Sequence, residues 1–313
     1  MKKRALMAIA SLLALIGCGG EEIATPSVSN TLLPVRFHIG LEQEEVPFPA
    51  TKAMPSNDIP DPSAAGQPPT EVTEGELYNR IDYIVYGEEN PEQPFRHRTF
   101  TRSDPDFSII YDSLPPGNYQ ICFLAHSDAG LTVSGQEADF SRVMDTFHRL
   151  HSIEIAAGEE VTQDITLERI VSKVEFVSRD AVPDDLAHFT INVDQYQHRI
   201  DLTTGAGVSS GETHATHYAF QAADAGKAGF THAFFTFVAL DETPLSARLT
   251  AVDQAGETTR ERTVADIRPI RNRIIRYTGI LYTPRVSDDT FTLSIMNDGS
   301  WDSTIDKELS EEE

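Results

Sequence analysis

Positive charge is scarce in this chain. Its 313 residues carry 25 lysines and arginines against 49 aspartates and glutamates, a formal net charge of −24. So acidic a surface repels phosphate backbones, which argues against nucleic acid as a partner. Long apolar runs are scarce too. Beyond the N-terminus none approaches the roughly 20 residues a spanning helix needs, which excludes polytopic membrane folds. The two cysteines allow at most one disulfide. Amphipathic helical stretches are nearly missing, which excludes bundles and coiled coils. Neither HExxH nor a phosphate-binding glycine loop occurs, so two common catalytic devices are absent.

What is present begins with an address. Lys2, Lys3 and Arg4 precede an apolar run from Ala5 to Ile16, the pattern of a secretory signal over residues 1–17. Thirteen residues separate Ala5 from Cys18, too few to cross about 30 Å of hydrocarbon as a helix. Leu15-Ile16-Gly17-Cys18 resembles the bacterial lipobox, whose cysteine receives a diacylglyceryl group. The resemblance makes Cys18 the lipidation site and residues 18–30 a lipidated tether. Two or more acyl chains anchor a protein durably, each buried CH₂ contributing about 0.8 kcal/mol. Cleavage removes three basic residues and deepens the charge from −24 to −27, so lipid rather than charge must hold the chain on a membrane. Gly19 stands where an inner-membrane retention signal places Asp, and Glu21-Glu22 resemble surface-export signals, so outer-membrane, cell-surface placement is expected. With Cys18 consumed by lipid, Cys122 is left alone between Ile121 and Phe123 and reads as an inert core residue.

The dominant hydrophobic period is two. Leu33, Val35, Phe37 and Ile39 alternate with polar or turn residues; Ile81, Tyr83 and Val85 make the next strand, and Tyr119, Ile121, Phe123 and Ala125 share one face of another. Glu42 to Glu74 reads as a long mobile loop. Phe95 to Thr101, Phe107 to Tyr111, His151 to Ile155 and Val161 to Leu167 add strands. Phe140 to Leu150, with apolar residues at three- and four-residue spacing, predicts the one helix. A second series of strands starts at Ile170 to Ser178 and continues through Phe189 to Val193 and His198 to Leu202. Thr203 to Lys227 reads as a second loop, and Phe230 to Leu240, apolar on both faces, as a central strand. A meander from Leu245 to Ile295 and a solvated acidic tail complete the chain. The expected architecture is all-β: two tandem Greek-key sandwiches over residues 31–168 and 169–303, with the tail at 304–313. The Leu114-Pro115-Pro116-Gly117-Asn118-Tyr119 turn resembles that of prealbumin (transthyretin)-like sandwiches.

Candidate chemistry is thin. His148/His151 and His214/His217 are the only closely spaced histidine pairs, the first beginning on the expected helix and the second in the expected loop, and nothing nearby completes a metal-ligand spacing. Asn297-Asp298-Gly299 lacks the terminal acid of a calcium loop. Tyr78, Tyr196, Tyr218 and Tyr277 could stack on sugars, but strand tyrosines more often pack. No catalytic residue, metal site or cofactor is expected.

The lipobox, the junction Leu167 to Val177 (LERIVSKVEFV) and Arg271 to Tyr282 (RNRIIRYTGILY) together resemble the fimbrillin superfamily of Bacteroidales, in particular the FimB/Mfa2-like fimbrial anchor and accessory proteins. The resemblance implies a pilus lipoprotein that contacts pilin or other fimbrial subunits through strand exchange at sheet edges. Stalk subunits of that group are trimmed by an arginine-specific protease. Here no Arg lies between the first strand and Arg80, which favours an uncleaved, lipid-held anchor or accessory subunit. A surface glycan- or ligand-binding lipoprotein is the alternative.

Overall fold

The computed structural model describes residues 31–41, 77–241, 243–284 and 290–296, and the backbone of Lys307–Leu309. The expected signal segment, the tether with Cys18, the Glu42 to Glu74 loop, Asn297-Asp298-Gly299 and Trp301 lie outside the described residues.

The fold is all-β, as the period-two pattern predicts. In the first half run β1 (Leu33–Leu41), β2 (Arg80–Gly87), β3 (Arg96–Thr101), β4 (Ile109–Leu114), β5 (Gly117–His126), the short β6 (Thr132–Ser134) and β7 (Glu137–Asp139), then β8 (Phe147–Ile155) and β9 (Val161–Arg169). Seven of these form one sheet in the order β3-β2-β5-β8-β9-β1-β4. β8 and β9 are joined through Phe147↔Arg169 and His148↔Glu168. From that corner the sheet folds back on itself, β3-β2-β5-β8 lying over β9-β1-β4. Alternate residues of the two layers meet inside, Phe37 of β1 against Phe123 of β5 at 5.2 Å between ring centroids. β9 alternates in the same way, with Ile165 and Leu167 inward and Thr162, Asp164 and Thr166 exposed.

In the second half follow β10 (Val171–Ser178), β11 (Leu186–Asp194), β12 (Arg199–Asp201), β13 (Ala206–Gly207), β14 (Thr213–Ala219), β15 (Thr231–Phe237), β16 (Leu245–Asp253), β17 (Thr258–Ile267), β18 (Ile274–Gly279), β19 (Phe291–Met296) and β20 (Lys307–Leu309). They make a five-stranded sheet, β15-β10-β18-β19-β20, and a four-stranded one, β14-β11-β16-β17. A small sheet, β13-β12-β7-β6, takes strands from both halves.

The two halves share a core. β2 and β5 are covered on both faces. Ile81, Tyr83, Val85, Ile121 and Phe123 belong to the first core, whereas Ile84, Tyr86, Cys122 and Leu124 pack into a cluster with Val171, Phe176 and Phe237. Cys122 is fully buried, the inert position expected. Phe140 plugs the join, its ring 4.8 Å from that of Phe237. Burying such a side chain stabilises the fold by about 2–3 kcal/mol.

Several expectations fail. No helix spans Phe140 to Leu150. Residues 140–146 are irregular, and β8 starts at Phe147. The Asp128 carboxylate takes the Ser141 and Arg142 N–H groups, while Phe140 and Val143 are drawn into the core, so tertiary contacts override the helical spacing. Thr203 to Lys227 is not all loop, since it carries β13 and β14. β15 is not central. It is an edge strand, buried on both faces, whose C-terminal end is met by Gln197, just before β12, through Phe237 N→Gln197 O (3.2 Å), and by β13 through Gly207 N→Val238 O (2.8 Å). The expected meander breaks after β17, because β18 crosses to lie parallel to β10 in the other sheet. The fourth strand begins at Ile109 rather than Phe107, after Asp106 turns the chain at φ 56°. The acidic tail is not wholly solvated: Lys307–Leu309 pairs with β19 as the last strand of the five-stranded sheet.

Candidate functional site

The two closely spaced histidine pairs, His148/His151 and His214/His217, form no metal site among the described residues. All four residues lie on strands: on β8 His151, as expected, and His148, expected on a helix, and on β14 rather than in a loop the second pair. His148 is buried and donates from Nε2 to the Leu202 carbonyl at 2.8 Å. Burial holds its imidazolium pKa below the ordinary value. His151 faces an outer depression where β8 and β9 splay apart, beside Asp164 and Glu168. His217 stacks on His188 at 4.4 Å, and His214 on Tyr196 at 4.3 Å. No group of three potential ligands able to hold a metal occurs among the described residues. Tyr78, Tyr196, Tyr218 and Tyr277 are all buried, so they pack, as strand tyrosines usually do, and offer no sugar platform.

Sequence reading missed a polar cluster on β2, β3 and β5 in which Asp82 and His126 are buried and His97 and Thr99 lie at the surface. Asp82 accepts from His126 Nε2, His97 Nε2 and Thr99 Oγ1, each at 2.6 Å. Nδ1 of His126 accepts the Asp128 N–H at 3.1 Å, so its proton sits on Nε2, toward Asp82. Burial works against ionisation of Asp82, but the hydrogen bonds from His126, His97 and Thr99 outweigh it and hold the carboxyl well below the usual carboxylate range. Here the carboxylate is central and the histidines flank it, whereas a nucleophilic triad needs a histidine between acid and hydroxyl. The cluster therefore locks three strands together. Its signal in the sequence was Asp82 standing alone in the apolar run of β2.

In a second set, between β10 and β18, the buried Glu175 pairs with both the buried Lys173 and the partly buried Arg276. Glu175 lies 3.0 Å from Lys173 Nζ and 2.8 Å from the Arg276 guanidinium. Burial lowers the Lys173 pKa, with Glu175 opposing the shift.

The exposed feature of greatest chemical weight is the seam where the folded first sheet meets itself, β3 on one side and β4 on the other. These are the two ends of the seven-strand order, so among the described residues each has an edge without a backbone partner in the sheet. Arginine side chains bridge the gap. Arg96 Nη1 donates to the Ser113 carbonyl and Arg98 Nη1 to the Tyr111 carbonyl, both at 3.1 Å. Beneath them Asp112 pairs with Arg96 and lies 3.7 Å from Arg98. Arg36 of β1 stacks over the Tyr111 ring at 5.1 Å. Leu32 and Tyr111 are 57% and 51% exposed, unusual values for large apolar side chains flanking a strand edge. Together they line an open depression of about 550 Å³. The sequence held a signal for this surface in the alternation Arg96-His97-Arg98, which sets two guanidinium groups on one face of an edge strand.

No curated protein matches the chain. Among solved structures it is similar to an adhesin candidate from Bacteroides ovatus, with 14% identity over 80% of this chain and 88% of that one and a TM-score of 0.49. It is also similar to the fimbrial anchor protein Mfa2 from Porphyromonas gingivalis, with 10% identity over 85% and 97% and a TM-score of 0.46. A fimbrial assembly protein from Parabacteroides distasonis follows, with 10% identity over 88% and 98% and a TM-score of 0.43. The family model for fimbrillin-A associated anchor proteins Mfa1 and Mfa2 matches residues 88–306, and on that match over most of its length the chain belongs to the Mfa2 fimbrial anchor family.

Proposed function

We propose that this chain is a non-enzymatic fimbrial anchor or accessory subunit, held on the outer membrane by acyl chains on Cys18 and contacting pilin or other fimbrial subunits through strand edges. The observation that carries the reading, beside family membership, is the pair of unsealed edges on β3 and β4, flanked by exposed aromatic and arginine side chains. An unpaired edge offers N–H and C=O groups at strand spacing, and side chains beside it supply specificity. The buried carboxylates Asp82 and Glu175, by contrast, are engaged within the protein, Asp82 by its two histidines and Glu175 by Lys173 and Arg276.

Two experiments test the reading. Deleting the gene is expected to release fimbriae from cells or to change their length, and fimbriae of unchanged length and attachment would overturn the accessory role. Cys18→Ala behind a signal peptide that still permits secretion is expected to appear in the soluble fraction. Its retention in the outer membrane would overturn lipid anchoring.

A further inference from the structure

The hydrogen-bond phase of β4 shows which of its backbone groups face the seam. Ile39 N donates to Ser108 O at 2.8 Å, so residues paired in step with Ile39↔Ser108 are the mutually bonded ones. In the β1–β4 register these are Phe37↔Ile110, Val35↔Asp112 and Leu33↔Leu114. The pairs between them, Arg36↔Tyr111 and Pro34↔Ser113, are the non-bonded ones, and Pro34 has no N–H to give. Tyr111 and Ser113 therefore aim N–H and C=O outward, at the seam. Their carbonyls are the two that Arg98 and Arg96 serve. A guanidinium only donates, so it satisfies an edge carbonyl and leaves the neighbouring N–H to an acceptor from elsewhere.

The charge is equally one-sided. Arg96 and Arg98 converge on a single carboxylate, Asp112, and Arg36 lies over the neighbouring Tyr111 ring, in a chain whose net charge is −24. Arg98 keeps 45% of its side chain exposed, while the Asp112 side chain is 9% exposed and thus already enclosed. Beyond Arg96, Phe95 is half exposed and packs against Tyr119 at 5.8 Å, extending the strip. Arginine and aromatic side chains around an open edge are the composition that carries binding energy in interfaces.

We infer that the β4 edge and its arginines receive an extended acidic segment of a partner polypeptide. Main-chain carbonyls of the segment take the Tyr111 and Ser113 N–H groups, and its Asp or Glu side chains pair with Arg98 and Arg36. β4 has six residues, about 20 Å of strand, which sets the length engaged at roughly six residues. That the partner is a fimbrial subunit rests on the function proposed above; the chemistry of the surface does not.

The test is fluorescence anisotropy with the full chain and two labelled decapeptides, Thr alternating with Glu and Thr alternating with Lys. The Glu peptide is expected to bind and the Lys peptide not to. Arg36→Glu/Arg98→Glu is expected to weaken the Glu peptide at least tenfold, with an unchanged melting temperature showing that the fold survives. Proline in place of two threonines is expected to weaken it as well, because proline breaks the extended ladder. Equal binding of both peptides, or indifference to the double charge reversal, overturns the inference. So does binding of polygalacturonate, but not of the Glu peptide, with the same arginine dependence, since the ligand is then an acidic sugar. In cells, fimbriae lost on gene deletion but intact in Arg36→Glu/Arg98→Glu refute this surface and leave the accessory role standing. A deletion without effect refutes the role alone.

Discussion

Arg169, the last residue of β9, donates from Nη1 to Oδ1 of Asn272 at 2.8 Å, tying the end of the first half of the chain to the approach to β18. Asn272 takes a left-handed conformation, φ 55°, and gives its own N–H to the Val171 carbonyl at 2.9 Å. Arg169 is buried, pairs through Nε with Asp145 at 3.0 Å, and lies over the Phe147 ring at 5.0 Å. One guanidinium thus holds three segments where the halves join.

Arg169→Leu leaves the Asp145 carboxylate without its cation and Asn272 without its donor. Breaking a buried pair from one side costs about 3–5 kcal/mol, so urea unfolding is expected to show a loss of about that size. Asn272→Ala removes one hydrogen bond and a residue suited to positive φ, and is expected to cost about 1–2 kcal/mol. A stability of Arg169→Leu within about 0.5 kcal/mol of wild type would mean that the join does not depend on this pair.

His232 gives a pH dependence with a definite sign. It is fully buried among Phe189, Tyr218 and Tyr282, its Nε2 lies 2.7 Å from the Tyr282 hydroxyl, and burial lowers its pKa to about 3. An unfolded histidine titrates near 6.5. Above that pH both states are neutral and the stability contribution is complete. As pH falls from about 6.5 toward 3, the unfolded chain takes up a proton that the folded chain refuses, and stability is lost at about 1.4 kcal/mol per pH unit. Between pH 7 and 5 His232 is therefore expected to remove about 2 kcal/mol. The check is urea unfolding of wild type and His232→Phe at both values. The variant should lose about 2 kcal/mol less on acidification, and parallel losses would sink the assignment.

The fold was legible where period two was clean and one face met solvent. β1, β9 and β16 show the alternation directly, because their outward residues are polar. It was not legible where both faces are buried. β2 and β5 read as one-faced strands, since nothing in a run such as Ile84-Val85-Tyr86 says that two cores lie on either side. β15, apolar throughout, read as central although it is an edge met at its C-terminal end by Gln197 and β13, which is information about distant residues. The spurious helix at 140–150 arose because Phe140, Val143 and Phe147 are all buried for separate tertiary reasons. Of the site, Arg96 and Arg98 were visible as an alternating pair, but their match to the Ser113 and Tyr111 carbonyls exists only once the sheet has folded onto itself.

Gly205 is a place where only glycine fits. Its φ is +64°, and a Cβ there would stand 2.8 Å from Nδ1 of His148 and 3.2 Å from Cγ2 of Ile170. His148 cannot simply turn aside, because its Nε2 is bonded to the Leu202 carbonyl in the same turn. Gly205→Ala combines left-handed strain of about 1–2 kcal/mol with a clash in a packed wall. A loss of about 2–3 kcal/mol in denaturant unfolding is expected. Gly158→Ala, also at positive φ (84°) but with open space around its Cβ, isolates the strain alone and is expected to lose only about 1 kcal/mol. Equal losses in the two variants would show that the contact with His148 is not tight.

Thiol counting connects the core to the anchor. Cys122 is completely buried, cross-strand from Ile84 on one side and Leu150 on the other, and burial pushes its thiol pKa upward. Both enclosure and the scarcity of thiolate block attack on a disulfide reagent. In the mature chain the only other sulfhydryl would be Cys18, which is tied up as a thioether if the proposed acylation occurs. Purified outer-membrane protein is therefore expected to release no chromophore from Ellman's reagent when native and one equivalent in denaturant. Two equivalents in denaturant, one of them already reactive in the native state, would show an unmodified Cys18. One fast equivalent from native Cys18→Ala would show instead that the Cys122 strand opens, contradicting its place between the two cores.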